Sequence, residues 1–121
     1  MTNRKEKTTI DKAEIRIKIR VGNGAVGPGK INLLEQISQT GSISSAAKAC
    51  SMDYRRAQYL LETMTEALGT TMVKTVVGGA QGGGAELTAN GQALVKAFRS
   101  LDDCVRLAAQ PDLQSIDKLL K

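Results

Sequence analysis

From Ile15 to Val21 apolar and basic residues alternate strictly, with Ile15, Ile17, Ile19 and Val21 set against Arg16, Lys18 and Arg20. A period of two built on β-branched residues predicts a half-buried strand with a cationic outer face. Gly22-Asn23-Gly24 breaks it. After Pro28 the period changes: Ile31, Leu34 and Ile37 recur every third position, which predicts a helix capped at its end by Gly41. Ser44 is placed to cap a second, short helix from Ser45 to about Ala49, whose alanines permit close helix approach. Asp53 is placed to cap a third, running to about Leu68, with Ala57, Leu60, Leu61, Met64 and Leu68 as its apolar stripe. Turning the wheel away from that stripe leaves Arg55, Tyr59, Glu62 and Glu66 outward, with Arg56 and Gln58 on the flanks.

Met72 to Val77 is a short β-rich run, followed by a glycine-dense tract at 78–84 and then Ala85-Glu86-Leu87. Two short apolar arms around such a tip predict a β-hairpin with a long loop. Thr88 caps the last long helix, which should stop at Gln110 because Pro111 disfavours helical geometry in the residue before it. Residues 112–121 then have the pattern of one more short helix. Within the long helix Leu94, Phe98, Leu101, Val105 and Ala108 recur as an a/d seam, which predicts a homodimer. The competing reading is that this face packs on its own domain. The fold class is α+β, mainly helical: an N-terminal strand, three helices, a hairpin and a long C-terminal dimerisation helix. The expected division is a flexible basic tail at 1–12, a winged helix-turn-helix domain at 13–88 and a helical dimerisation segment at 89–121.

Composition narrows the chemistry. A chain of 121 residues suits one domain. The absence of histidine removes Ser-His and Cys-His nucleophile pairs and every His-based metal site. Cys50 and Cys104 cannot complete a zinc tetrahedron or a disulfide framework, and read as small apolar groups in a reducing cytoplasm. No apolar run approaches the ~20 residues that span a bilayer. No metal, no cofactor, no membrane and no enzymatic activity are therefore expected. The net charge of +5 is confined to residues 1–30, while the remainder is neutral. A basic isoelectric point alone is thus no nucleic-acid footprint, and the tail is either a solvated segment or an arm near phosphates.

Placement within the body of the chain says more. Two helices joined by the turn Cys50-Ser51-Met52, with small residues at the crossing, form a helix-turn-helix pattern. In that arrangement the first helix braces on the backbone of double-stranded DNA and the start of the second enters the major groove. Tyr54, Arg55, Arg56, Gln58 and Tyr59 lie on those first turns. Arginine pairs bidentately with guanine and glutamine with adenine. Ser44, Lys48, Lys74 and the wing glycines Gly82 and Gly83 are the expected backbone contacts. A two-fold dimer would set the recognition helices about one DNA turn, ~34 Å, apart and favour a palindromic site.

From about Pro28 to Val95 the chain also resembles the amino-terminal winged-helix domain of the ModE family of molybdate-responsive regulators and, more distantly, LysR-type regulators. The carrying stretches are 41–48, Tyr54-Arg55-Arg56-Ala57, the glycine tract through Ala85, and Leu87-Thr88-Ala89-Asn90-Gly91. The glycine-rich wing followed by Leu-Thr-x-x-Gly is the most specific. The resemblance implies DNA binding, and pairing through the last helix. It also marks departures. Ser51 stands where the family usually has glycine, Gln58 where it has tryptophan, and Thr75 and Ala80 where wing positions are basic. The family's effector, molybdate, is bound by a carboxy-terminal module with no counterpart in this sequence, which implies a DNA-reading domain without that sensor.

Two other readings stand. Gly24-Ala25-Val26-Gly27-Pro28-Gly29-Lys30 matches the G-x-x-x-x-G-K of a nucleotide-phosphate-binding loop, although Ile31 replaces the hydroxyl that ligates Mg²⁺. A winged helix can also serve as a protein-interaction module that does not read DNA.

Overall fold

The computed structural model describes residues 11–77 and 84–120. These residues form two two-stranded antiparallel sheets and four helices. In chain order they are β1 (Ile19–Val21), β2 (Gly24–Val26), α1 (Pro28–Thr40), α2 (Ile43–Ala49), α3 (Tyr54–Leu68), β3 (Val73–Val76), β4 (Gly84–Leu87) and α4 (Ala89–Asp117). Positions 82 and 83, expected in the wing tip, and the tail up to residue 10 lie outside the described residues.

The alternation of the first segment survives as burial: the isoleucines at 15, 17 and 19 and Val21 are half-buried while Arg16, Lys18 and Arg20 are exposed. Only its last three residues are hydrogen-bonded as a strand, however, and their partner is β2. Gly22-Asn23 is therefore the turn of a hairpin, with Ile19 opposite Val26, and not merely the end of a strand. Gly22 takes φ +58, and a Cβ there would lie 2.3 Å from the Ala67 carbonyl oxygen. Only glycine fits a turn pressed so closely onto the end of α3.

The helices close one core. Ile31, Leu34 and Ile37 are fully buried along α1, joined by Leu33, and meet Ala46 and Ala47 of α2, Ala57 and Met64 of α3, and Phe98 of α4. Gly41 ends α1 in the left-handed conformation, donating its N–H to the Ile37 carbonyl. The cap of α2 is Ser42, not Ser44: the Ser42 hydroxyl accepts from Ser45 N–H at 3.1 Å. Ser44 lies inside the helix instead. Both serines satisfy the composition of a cap, and the extended backbone of Ser42 decides between them.

The second departure is in α4. It passes through Pro111 and ends at Asp117, so residues 112–117 continue the helix rather than starting another. Proline removes one hydrogen bond, to the carbonyl four residues earlier. That carbonyl belongs to Leu107, an exposed residue, so the freed acceptor is not trapped in the core. The Asp117 carboxylate accepts from Ala13 N–H and ties the amino-terminal segment to the far end of α4. Nearer its start α4 is held to α1 by Arg99, which donates to Glu35 at 2.8 Å and to Asn32 at 3.0 Å.

The Leu-Thr-x-x-Gly stretch is explained as a joint. Leu87 is in the core, and Thr88 accepts from Gly91 N–H to cap α4 while its hydroxyl donates to the Thr71 carbonyl at 2.8 Å. Thr88 N–H donates to Met72 O, and a Cβ on Gly91 would lie 2.1 Å from that same oxygen. The second hairpin and the long helix thus share one fixed corner.

Candidate nucleic-acid interface

Helix α2, the turn and α3 build the site. Cys50 closes α2, Ser51 takes φ 59, and Met52 N–H reaches back to Ala47 O at 2.9 Å while Ser51 N–H reaches Lys48 O at 3.0 Å. This pair of bonds is a Schellman motif. Its left-handed position is where glycine is cheapest, and a serine there costs ~1–2 kcal/mol. Among the described residues Ser51 is the only non-glycine with positive φ. The turn directs the chain into α3, whose Asp53 cap accepts from Arg56 N–H at 2.8 Å.

The buried side of α3 holds Ala57 and Met64, with Leu60, Leu61 and Leu68 partly covered against the core. The opposite side is open. Tyr54, Arg55, Arg56 and Tyr59 are all exposed at the first turns, and among the described residues neither arginine forms an ion pair. Arg56 lies over the Tyr59 ring, 5.8 Å from its centre, which stiffens both without neutralising the charge. Gln58 is half-buried, and its Nε2 donates to the Tyr54 hydroxyl at 2.6 Å. One of its two amide N–H groups is therefore engaged with a neighbour. Ser44 and Lys48 are exposed on α2.

In the second hairpin Lys74 stands opposite Glu86, and the two form an ion pair at 3.2 Å, both more than half exposed. Ala85 N–H donates to Gly41 O at 2.9 Å, so β4 is pinned to the loop between α1 and α2. Of the proposed seam, Phe98 is 1% exposed inside its own core and Leu94 packs against it, whereas Leu101 and Ala108 are exposed and Val105 is intermediate. The heptad spacing thus splits: its first half faces inward and its second half faces out.

The G-x-x-x-x-G-K stretch does not form a loop wrapped on a ligand. Gly24–Val26 is strand β2, Pro28 opens α1, and Lys30 Nζ donates to Ala25 O at 2.7 Å. What sequence reasoning missed is the company Lys30 keeps. Arg16 and Lys18 come down the amino-terminal segment and Arg56 across from α3, so that the four cations line one cleft. The alternation exposed Arg16 and Lys18 on one face, but only the hairpin turns that face toward α1. Burial, and then the charges of Lys18 and Arg56, hold the Lys30 ammonium below the usual lysine range.

No protein-family model matches the chain. It is 38% identical over 78 residues to the molybdenum transport protein ModE of Azotobacter vinelandii, covering 64% of this chain and 29% of that protein. It is 34% identical over 89 residues to the molybdenum-pterin-binding protein MopA of Rhodobacter capsulatus, covering 74% and 34%. With the DNA-binding transcriptional dual regulator ModE of Escherichia coli K12 it shares 37% over 71 residues, 59% of this chain and 27% of the relative. The chain therefore spans about a third or less of the curated relatives it matches. Among solved structures, the protein of a CbnR DNA-binding-domain–DNA complex superposes with a TM-score of 0.53 at 19% identity, over 75% of this chain and 95% of that one. Over these stretches the chain is similar to ModE regulators, and its fold is the one seen in the CbnR DNA-binding domain.

Proposed function

We propose that this chain is the DNA-reading part of a transcriptional regulator, entering the major groove of duplex DNA with the start of α3. The observation that carries the reading is the pair Arg55 and Arg56. They are exposed and free of ion pairs among the described residues, on the Asp53-capped end of a helix whose other side is in the core. A guanidinium pair at that place can reach guanine O6 and N7. Tyr54 and Tyr59 flank it, and Ser44 and Lys48, exposed on α2, are its proposed phosphate contacts. Gln58 commits one amide N–H to Tyr54 and keeps its other N–H and its Oε1 for adenine. Lys74 must leave Glu86 to meet a phosphate.

Two copies are proposed to pair through the outer half of α4, where Leu101 and Leu107 are exposed, rather than through Phe98 and Leu94. A dimer of this kind would read two half-sites about one helical turn, ~34 Å, apart.

Selection from a pool of random duplexes tests the reading. A palindromic site enriched over rounds, bound with strong salt dependence, is the expected result. Failure of the chain to enrich any sequence would contradict it. Sedimentation of the chain with Leu101→Lys tests the pairing: a dimer that becomes a monomer supports it, and an unchanged dimer places the interface elsewhere.

A further inference from the structure

We infer that the cleft between the amino-terminal segment, the start of α1 and α3 is a phosphate-oxyanion site. Its lining brings Arg16, Lys18, Lys30 and Arg56 together and contains no carboxylate. Among the described residues none of the four forms an ion pair. Four like charges around one opening repel one another, and the same side chains around an anion attract it. In the free protein the Lys30 ammonium is disfavoured first by burial and then by the charges of Lys18 and Arg56. Gly27 gives α1 no side-chain cap and the first turn carries no acid, so nothing in the helix start competes for an anion.

The cleft measures about 360 Å³ and has Met52 and Leu60 in its wall. It is roomier than a bare tetrahedral anion needs, and its apolar side suits the sugar that flanks a phosphodiester. Met52 belongs to the helix-turn-helix turn and Arg56 to the recognition helix, so a phosphate held here lies next to the groove that α3 would enter. The DNA backbone is the favoured source, an assignment that rests on the proposed function above; a free inorganic oxyanion has the same chemistry.

The test has two arms. In the first, the affinity for a selected duplex is measured against salt for the wild-type chain and for Lys18→Gln, Arg16→Gln and Lys30→Gln. Each variant should flatten the log–log slope by about 0.9 and weaken all sequences equally, leaving base preference intact. Lys18 and Arg16 are exposed, so their removal leaves the fold intact even if Lys30→Gln, which loses the bond to Ala25, does not. In the second arm inorganic phosphate is titrated into the free chain while the amide resonances of Gly29 and Lys30 are followed. Saturable shifts abolished by Lys18→Gln, with unchanged DNA slopes, support the site and assign it to a free anion. Unchanged slopes together with no saturable shift overturn it. Failure to bind any duplex would remove the DNA reading alone, because the phosphate titration still decides the cleft.

Discussion

The β1–β2 hairpin turns through two residues and leans on the end of α3, whereas the β3–β4 hairpin is fixed to the loop after α1 and to the corner before α4. Around the first gather Arg16, Lys18, Arg20 and, across the cleft, Lys30 and Arg56. The second has Lys74, already held by Glu86. Positive charge in this domain is therefore concentrated on the side of the amino-terminal hairpin. Under the proposed function, the pairing state of its cations, more than the position of a wing in the chain, selects the hairpin that grips phosphates.

The sharpest way to break this contrast is to dislodge the first hairpin. Gly22→Ala adds a left-handed strain and a Cβ against Ala67 O, and should destabilise the fold by about 2–4 kcal/mol in urea unfolding. Thr75→Val on the exposed face of β3 should stay within about 0.5 kcal/mol. Equal costs would show that the two hairpins are not differently anchored.

Titration of Lys30 sharpens the electrostatic half. In the free protein its pKa lies below 10.5 through burial, Lys18 and Arg56. The folded state then binds fewer protons than the unfolded one, so this group's contribution to stability rises as pH climbs through the lowered value. A phosphate in the cleft favours the charged form, so duplex affinity should fall as pH rises through the same range. Nζ resonances of Lys30 recorded with and without duplex should show the pKa moving upward on binding; an unmoved value would detach Lys30 from the interface.

A smaller effect is expected at the turn. Ser51→Gly relieves ~1–2 kcal/mol of left-handed strain and adds ~0.4–1 kcal/mol of unfolded-state entropy, so thermal unfolding should show a net gain of about 0.5–1 kcal/mol. The smallest prediction concerns the second hairpin. Glu86→Gln frees Lys74 from an exposed ion pair worth up to ~1 kcal/mol, and should strengthen duplex binding by about two- to fivefold. A change of tenfold or more would mean that the second hairpin carries more of the grip than its charge implies.

Much of this was legible in the chain. The stripe from Ala57 to Leu68 and the caps Asp53 and Thr88 are local signals, and the structure follows them. The return strand β2 was hidden because Gly-Ala-Val is too short to display a period, although Gly22-Asn23 is a hairpin turn signal. Pro111 misled because the penalty it imposes depends on what surrounds the freed carbonyl, which no local pattern states. The seam from Leu94 to Ala108 has one spacing and two environments, since burial of Phe98 is decided by α1 and not by the heptad. The cleft was least legible: Arg16, Lys18, Lys30 and Arg56 are scattered over forty positions and meet only through the first hairpin.

The account stands most directly on what Arg55 and Arg56 touch. With the wild-type optimum site in hand, binding of Arg55→Ala and Arg56→Ala should be measured against that duplex and its single-base-pair variants. Each substitution should weaken the optimum by ~1–3 kcal/mol and erase discrimination at its own base pair, and Arg56→Ala, which also removes a cation from the cleft, should in addition flatten the salt slope by about 0.9. Two variants that bind the optimum as tightly as the wild type, with every preference preserved, would contradict a recognition role for the start of α3.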